Sequence, residues 1–197
     1  VYDRFNRNDH VINQIPFDIK MEVLRIGVDF NVMNCNAVVG VKSGDKLFII
    51  DEISKQNDTD ALAQEIKRRY PSNRILVYPD ASGSARSTIN ASKTDIAILE
   101  SYGFSSMALK SNPFIKDRVA TVNALLQNGK GERRLAIHAS CTRLIECLEL
   151  QSYDEKTGDP DKQNGYDHMN DALGYLIYRE FNLLYGRAGK RTGIRIY

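Results

Sequence analysis

A change in hydrophobic period along the chain constrains its fold more than any other sequence feature. Apolar side chains alternate with polar residues or glycine over residues 24–30, and two further strand-like segments follow at 36–41 and 46–53. Such alternation is typical of β-strands. Ser43, Gly44 and Asp45 separate the last two segments and favour a tight turn. The sequence therefore predicts three consecutive antiparallel strands.

Helices and strands are then predicted to alternate. The helical segments are residues 59–70, 94–102, 115–127, 141–150 and 166–185, and the strands are residues 74–78, 104–109 and 133–138. Parallel strands need crossover connections, which are usually helices. The chain is therefore expected to form an α/β domain with a mixed sheet and helices on its faces.

Both ends of the chain differ in composition from its middle. Residues 1–23 are polar and aperiodic, which predicts a linker or arm from a preceding domain. Residues 186–197 contain four basic residues and no acid, which predicts a flexible basic tail. We expect the folded domain to span residues 24–185.

Composition excludes several classes of protein. A formal net charge of +2 does not by itself indicate nucleic-acid binding. The three cysteines have neither zinc-site spacing nor an even count, so we expect a reducing, intracellular environment. No apolar run approaches the roughly 20 residues of a membrane span, so no membrane partner is expected.

Three aspartates lie at positions where the fold alone does not require a carboxylate. Asp29 lies at the end of the first strand, Asp80 follows the fourth, and Asp171 lies in the first turns of the last helix. A mixed sheet can place the first and fourth strands side by side, with the helix end beside their edge. The three carboxylates would then converge.

Converging carboxylates repel one another unless a cation neutralises them. Oxygen ligands favour Mg²⁺ or Mn²⁺ over zinc. Two such ions roughly 3.5–4 Å apart can activate water and stabilise the leaving oxygen of a phosphodiester. The alternative interpretation is that Asp29 and Asp80 are turn residues and that Asp171 lies on a solvated helix face.

The amino-acid sequences of three segments resemble the motifs of a known protein family. Residues 26–30, 78–83 and 166–175 resemble the acidic motifs of nuclease domains in terminase large subunits of tailed, headful-packaging bacteriophages. The last segment carries a complete Asp-His-x-x-Asp-Ala-Leu-x-Tyr string and is the most specific of the three. The similarity extends over residues 24–185.

This resemblance implies an RNase H-like fold and a metal-dependent endonuclease that cleaves concatemeric viral double-stranded DNA during genome packaging. Asp29, Asp80 and Asp171 would bind two Mg²⁺ or Mn²⁺ ions, with His168 and Asp167 as further ligands or helpers. The implied partners are DNA, a portal protein, a small terminase subunit and an N-terminal ATPase domain, in the host cell cytoplasm. The chain has no Gly-x-x-x-x-Gly-Lys-Ser/Thr loop, so the ATPase motor is expected outside it.

Four basic residues are candidates for DNA contact. Lys110, Lys116 and Arg118 lie near a helix start that resembles the family's basic stretch, and Lys162 precedes the last acidic motif. Phosphate contacts of this kind give affinity without reading sequence. The alternative is a solvated basic surface.

The sequence is also compatible with two other functions. Resolvases, integrases and transposases share the carboxylate chemistry but resemble the final helix motif less. A non-catalytic module that docks on DNA or on a portal would need no metal.

Overall fold

The structure, a computed structural model, describes residues 1–31, 33–84 and 94–181. The strands are β1 (Val11–Ile12), β2 (Leu24–Asp29), β3 (Cys35–Ser43), β4 (Lys46–Gln56), β5 (Ile75–Pro79), β6 (Ser105–Ser106) and β7 (Leu135–His138). The helices are α1 (Arg7–His10), α2 (Thr59–Arg69), α3 (Asp95–Ser101), α4 (Ile115–Leu126), α5 (Thr142–Leu150) and α6 (Asp167–Phe181). Two 3₁₀ turns span Ile19–Met21 and Ala81–Ser84.

The strands of the described residues form one mixed sheet in the order β1-β7-β4-β3-β2-β5-β6. The antiparallel strands β2, β3 and β4 form its centre, as the alternation predicts, and parallel neighbours extend it on both sides. The predicted α/β class with a mixed sheet is confirmed. Since β2 and β5 are parallel neighbours, their carboxyl ends meet at one edge.

Two hydrophobic cores lie on opposite faces of the sheet, because successive strand side chains point in opposite directions. Helices α4, α5 and α6 pack in one core with Val38, Leu47 and Ile49. Helices α2 and α3 pack in the other with Ala37 and Val39. The prediction of helices on both faces is therefore confirmed.

Carboxylates fix the starts of two helices. The Asp58 side chain accepts a hydrogen bond from the Ala61 amide at 2.8 Å, which caps α2. At α5 the cap comes from the distant strand β4: the Glu52 carboxylate accepts from the backbone amides of Arg143 and Leu144 at 2.9 and 2.8 Å. A carboxylate also suits the positive end of the helix dipole. Glu52 therefore ties α5 to the sheet.

The structure differs from the sequence-based expectation over the first residues of the predicted arm. Residues 1–12 contain α1 and β1, and β1 pairs in parallel with β7 at the sheet edge. Tyr2 is buried, and the buried His10 has Nε2 2.9 Å from the Leu126 carbonyl oxygen. Two anchoring side chains and a two-residue strand are too short to produce a period, so the pattern did not reveal them. The division at residues 1–23, 24–185 and 186–197 stays a prediction.

The other predicted elements are present with small changes. The five predicted helices each begin within one residue of the expected position, and β6 is only two residues long. The predicted tail, the end of the last predicted helix and part of the predicted loop at residues 81–88 lie outside the described residues. All three cysteines are buried and free of disulfides. No helix in the described ranges has the length and apolarity to cross a membrane.

Candidate active site

The candidate site lies where β2, β5 and α6 meet. Asp29 is the last residue of β2, and Asp80 directly follows β5. The Asp80 amide donates a hydrogen bond to the Val28 carbonyl at 3.2 Å, which aligns the two strand ends. Helix α6 begins at Asp167 beside the same edge. The sheet register therefore brings together side chains that are far apart in sequence.

Gly27 allows α6 to lie directly against β2. A Cβ atom at this position would stand 2.0 Å from the Ala172 carbonyl oxygen, far closer than two nonbonded atoms can approach. A side chain here would push the helix away from the strand. The glycine thus sets the distance between Asp171, which precedes Ala172, and Asp29.

Asp29 is buried and held by two neighbours. Asn31 Nδ2 donates a hydrogen bond to Asp29 Oδ2 at 2.6 Å, and His168 Nδ1 lies 3.1 Å from the same oxygen. Asn31 Nδ2 is also 3.0 Å from His168 Nδ1, so the three side chains form a closed group. The hydrogen bond with Asp29 raises the pKa of His168. The imidazole is thereby fixed beside the carboxylate.

Asp80 is buried in the turn that follows β5. The amide and hydroxyl of Ser82 both donate to Asp80 Oδ1, the amide at 2.6 Å. Burial raises the pKa of Asp80, and the nearby charge of Asp29 raises it further, while the Ser82 hydrogen bonds act in the opposite direction. Ionised Asp80 is therefore destabilised in its present surroundings.

Asp171 and Asp167 complete the acidic group from the first turns of α6. Burial raises the pKa of Asp171 to about 6 against the opposing charge of Arg118, and the charges of Asp29 and Asp167 add to the increase. Asp167 Oδ1 is buried and accepts no hydrogen bond from any described residue. The helix face that could have been solvated is therefore packed inside the domain.

The carboxylates influence one another electrostatically without forming a closed coordination shell. Among the residues that the structure describes, no three His, Cys, Asp or Glu side chains stand close enough to hold a metal ion as they are. The contacts of Asp29 with Asn31 and His168, and of Asp171 with Arg118, account for this spacing. The metal-ligand roles of the five predicted residues stay predictions.

The four predicted DNA-contact residues have different surroundings. Lys110 and Lys116 are exposed. Lys162 lies close enough for its charge to lower the pKa of Asp171. Arg118 requires a correction: only 5% of its side chain is exposed, and its guanidinium pairs with Asp171 at 2.6 Å, so it does not reach DNA in this structure.

Sequence reasoning also missed residues that contact the site. Asn31 and Ser82 each lie two positions after a predicted ligand, and this spacing is the one signal that could have suggested them. Asp51, another carboxylate at a strand, lies elsewhere: it accepts hydrogen bonds from Arg69 and Tyr70, each at 2.8 Å.

A mixed sheet with helices on both faces and buried carboxylates at the ends of β2, β5 and α6 defines an RNase H-like domain. The family model described as the terminase RNaseH-like domain matches residues 26–180, and this chain belongs to that family. No curated protein matches the chain in sequence.

Solved structures show the same fold at low sequence identity. The large terminase of a thermophilic bacteriophage aligns with a TM-score of 0.69 and 18% identity, over 90% of this chain and 43% of its own. The P22 large terminase nuclease domain aligns with a TM-score of 0.68 and 16% identity, over 91% and 92%. The large terminase nuclease domain of bacteriophage SPP1, solved with bound Mn, aligns with a TM-score of 0.58 and 19% identity, over 87% and 96%. The chain thus spans less than half of the thermophilic phage protein.

Proposed function

We propose that this chain is a metal-dependent endonuclease domain that cleaves concatemeric viral double-stranded DNA during genome packaging. The main support is that Asp80 and Asp171 each lie near enough to Asp29, around one sheet edge, to be influenced by its charge. Buried carboxylates placed beside one another are costly unless cations offset their charge. A site of this composition is suited to a divalent cation and a phosphodiester.

The chemistry of the donors suits two Mg²⁺ or Mn²⁺ ions, and the side chains would have to move closer together than they stand in this structure to share them. Asp29, Asp80 and Asp171 would hold them, with Asp167 and His168 as further ligands or positioning groups. The donors are mainly carboxylate oxygens, which these ions prefer, and the buried Asp167 Oδ1, which accepts no hydrogen bond from a described residue, supports the same view. Two bound ions supply an activated water and compensate the charge of the leaving oxygen.

The protein groups around the carboxylates keep them oriented. Asn31 holds one oxygen of Asp29, and Ser82 holds one oxygen of Asp80. Both contacts of Asp29 fall on Oδ2, which leaves Oδ1 for another partner. Fixed orientation of this kind is what a nuclease needs, because misplaced ligands weaken catalysis even when they are present.

A groove beside the site provides a path for DNA. It has a volume of about 650 Å³ and is lined in part by Lys110, Phe114 and Arg179. Its loop is joined to the site, since Asn112 Oδ1 accepts from the Ala81 amide at 2.7 Å. We propose that the basic side chains lining the groove, Lys110 and Arg179, contact phosphates and that the exposed Phe114 packs against the sugar or base surface.

Two further lysines extend this path. Lys116 Nζ lies 5.9 Å from the centre of the exposed Phe114 ring. Lys162 lies near Asp171, close enough for its charge to act on that carboxylate. We therefore propose Lys110, Lys116 and Lys162 as phosphate contacts that give non-specific, salt-sensitive affinity.

Family membership also supports a proposal about the partners. The relative from the thermophilic bacteriophage is a large terminase also solved with ATP-gamma-S. We propose that the present domain acts with an ATPase domain of the same polypeptide, a portal protein and a small terminase subunit in the host cytoplasm.

The test is cleavage of supercoiled plasmid by the purified domain with Mg²⁺, Mn²⁺, Ca²⁺ or chelator. We expect nicking and linearisation with Mg²⁺ or Mn²⁺ only. Asp29→Asn, Asp80→Asn and Asp171→Asn should each reduce the rate by more than about 100-fold, since loss of outer-shell partners alone costs roughly 10–100-fold.

The matched control is Asp51→Asn, which alters a carboxylate outside the acidic group and should keep the wild-type rate. Cleavage that persists in chelator, or in all three site variants, would contradict the proposal. Preference for a branched junction over plain duplex would instead favour a resolvase-like activity. Binding of DNA without cleavage under every metal would favour the docking module.

A further inference from the structure

Arg118 is the strongest candidate for an unassigned role at the site. It is buried in the core between α4 and α6, although an arginine is almost never buried without a partner. Its Nη2 donates to Asp171 Oδ1 at 2.6 Å, and its guanidinium lies 4.4 Å from the centre of the Tyr175 ring. The pair therefore uses one oxygen of a proposed metal ligand.

The neighbouring residues are shaped to accept this side chain. A Cβ atom at position 174 would stand 2.5 Å from Arg118 Cγ and 2.7 Å from Cδ, so Gly174 makes room for the arginine stem. Tyr2, from the amino-terminal segment, is buried close enough for Arg118 and Asp171 to act on it electrostatically. Contacts from α6 therefore hold the guanidinium in place, with Tyr2 near enough to interact electrostatically.

The charges around Asp171 are unbalanced without Arg118. Asp29 and Asp167 are negative neighbours, and the positive groups that act on Asp171 besides Arg118 include Lys162 and, when protonated, His168. Arg118 is nearly fully buried and always charged, so solvent screens it weakly. It is the cation best placed to offset the carboxylates when no metal is bound.

We infer that Arg118 is a positioning residue that serves as a built-in counter-cation for Asp171 in the metal-free site, a role that rests on the proposed metal centre. It lets the acidic group fold before any ion arrives, and it holds one Asp171 oxygen while leaving the other for a ligand. The cost is weaker cation binding, because the fixed positive charge opposes an incoming ion.

The test compares metal-free and Mn²⁺-bound protein for wild type and Arg118→Met. Without metal, the variant should unfold on the order of 10 °C lower, since it leaves a buried carboxylate without its cation. Its Mn²⁺-induced rise in Tm should exceed that of wild type. In an electron paramagnetic resonance titration of free Mn²⁺, the variant should bind at least about tenfold more tightly, because a nearby positive charge is gone.

Two control variants separate this role from general packing. Arg25→Met removes a mostly buried arginine that pairs with Glu180 at the far end of α6. It should lower Tm but leave both Mn²⁺ measurements unchanged. Arg118→Lys keeps the charge and should restore a Mn²⁺ affinity near that of wild type.

Mn²⁺ binding by Arg118→Met that equals or falls below wild type would overturn the inference while leaving the metal centre intact. Wild-type protein that binds no Mn²⁺ would overturn the metal centre itself and this role with it. If Arg118→Met does not fold, the double variant Arg118→Met/Asp171→Asn should fold, because it removes the uncompensated carboxylate as well. Failure of the double variant to recover would also overturn the inference.

Discussion

The two ends of α6 bury carboxylates in opposite electrostatic surroundings. At the carboxyl end, Glu180 accepts a hydrogen bond from Tyr78. Its Oε1 lies 3.1 Å from Arg25 Nε and 3.0 Å from Lys42 Nζ. Burial would raise the pKa of Glu180, but these partners together lower it. At the amino end, burial and neighbouring carboxylates raise the pKa of Asp171 to about 6 despite Arg118.

The difference shows how a structural carboxylate can be told from a functional one. Glu180 is surrounded by donors that stabilise its ionised form, so its contacts are complete without a ligand. The carboxylates at the amino end lie near one another with too few cations. Groups whose environment opposes their ionisation are enriched at functional sites.

The largest effect should come from changing the residue that fixes the whole helix. Gly27→Ala would place a methyl group against the Ala172 carbonyl and displace both ends of α6 at once. We expect it to lower the free energy of unfolding by roughly 3 kcal/mol, as overpacking does, and to abolish Mn²⁺ binding. Urea denaturation and Mn²⁺ titration measure the two effects.

Gly40→Ala is the matched control, because its new methyl group would meet flexible side-chain ends of Leu47 and Ile49. It should cost about 1 kcal/mol and leave Mn²⁺ binding intact. Equal effects of the two substitutions would mean that the close approach of α6 to β2 does not determine the site.

Neutralising Glu180, and neutralising Asp80 in the acidic group beside the amino end of α6, should change stability in opposite directions. In metal-free protein, Glu180→Gln should cost about 3 kcal/mol, because Arg25 and Lys42 lose their partner. Asp80→Asn should instead gain about 0.5–2 kcal/mol, as active-site substitutions that relieve repulsion can. Denaturation in chelator at neutral pH measures the free energy of unfolding of both variants. If both variants lost similar stability, the two groups of carboxylates would not differ in the way described.

The smallest effect is on the pH dependence of metal-free stability. The folded-state pKa of Asp171 is raised from 3.8 to about 6, so its contribution is complete below pH 3.8 and is lost as the pH rises through about 6. The pKa of Glu180 is lowered from 4.5, so its contribution is present above pH 4.5 and is lost as the pH falls through the folded value.

Asp171→Asn should therefore flatten the loss of stability between about pH 4 and 6, which amounts to at most about 3 kcal/mol, whatever its effect on overall stability. Glu180→Gln should flatten only the loss of stability that occurs as the pH falls below about 4.5. Urea denaturation in chelator across this range measures both slopes. A wild-type slope that survives Asp171→Asn unchanged would show that other groups dominate.

The sequence predicted the architecture well because its signals are periodic. Alternation identified the central strands, and five helical segments were predicted between and after the later strands. The acidic group was predicted from three aspartates at strand or helix ends and from the wording around Asp171. The approach of Asp29 and Asp80 depends on which strands are neighbours, which topology constrains strongly, whereas Asp171 also needs α6 to lie against β2 at Gly27.

The surroundings of the site could not be predicted in the same way. A basic residue near a helix start reads as exposed, yet Arg118 is buried because α4 packs on α6 at Gly174. The pairing of Arg118 with Asp171 joins residues 53 apart in sequence, and no local pattern encodes it. The buried His10 escaped for the same reason, since its partner Leu126 is 116 residues away.

The wide separation of the acidic residues also has a consequence for folding kinetics. Asp29 and His168 meet across 139 residues of sequence, so their contact carries a large loop-closure cost and forms late. The strands β2 and β5, which position Asp29 and Asp80, can pair before α6 docks, but the acidic group then lacks the carboxylates that α6 supplies. A nascent chain of this domain therefore has no assembled acidic centre until its last described helix has left the ribosome and packed.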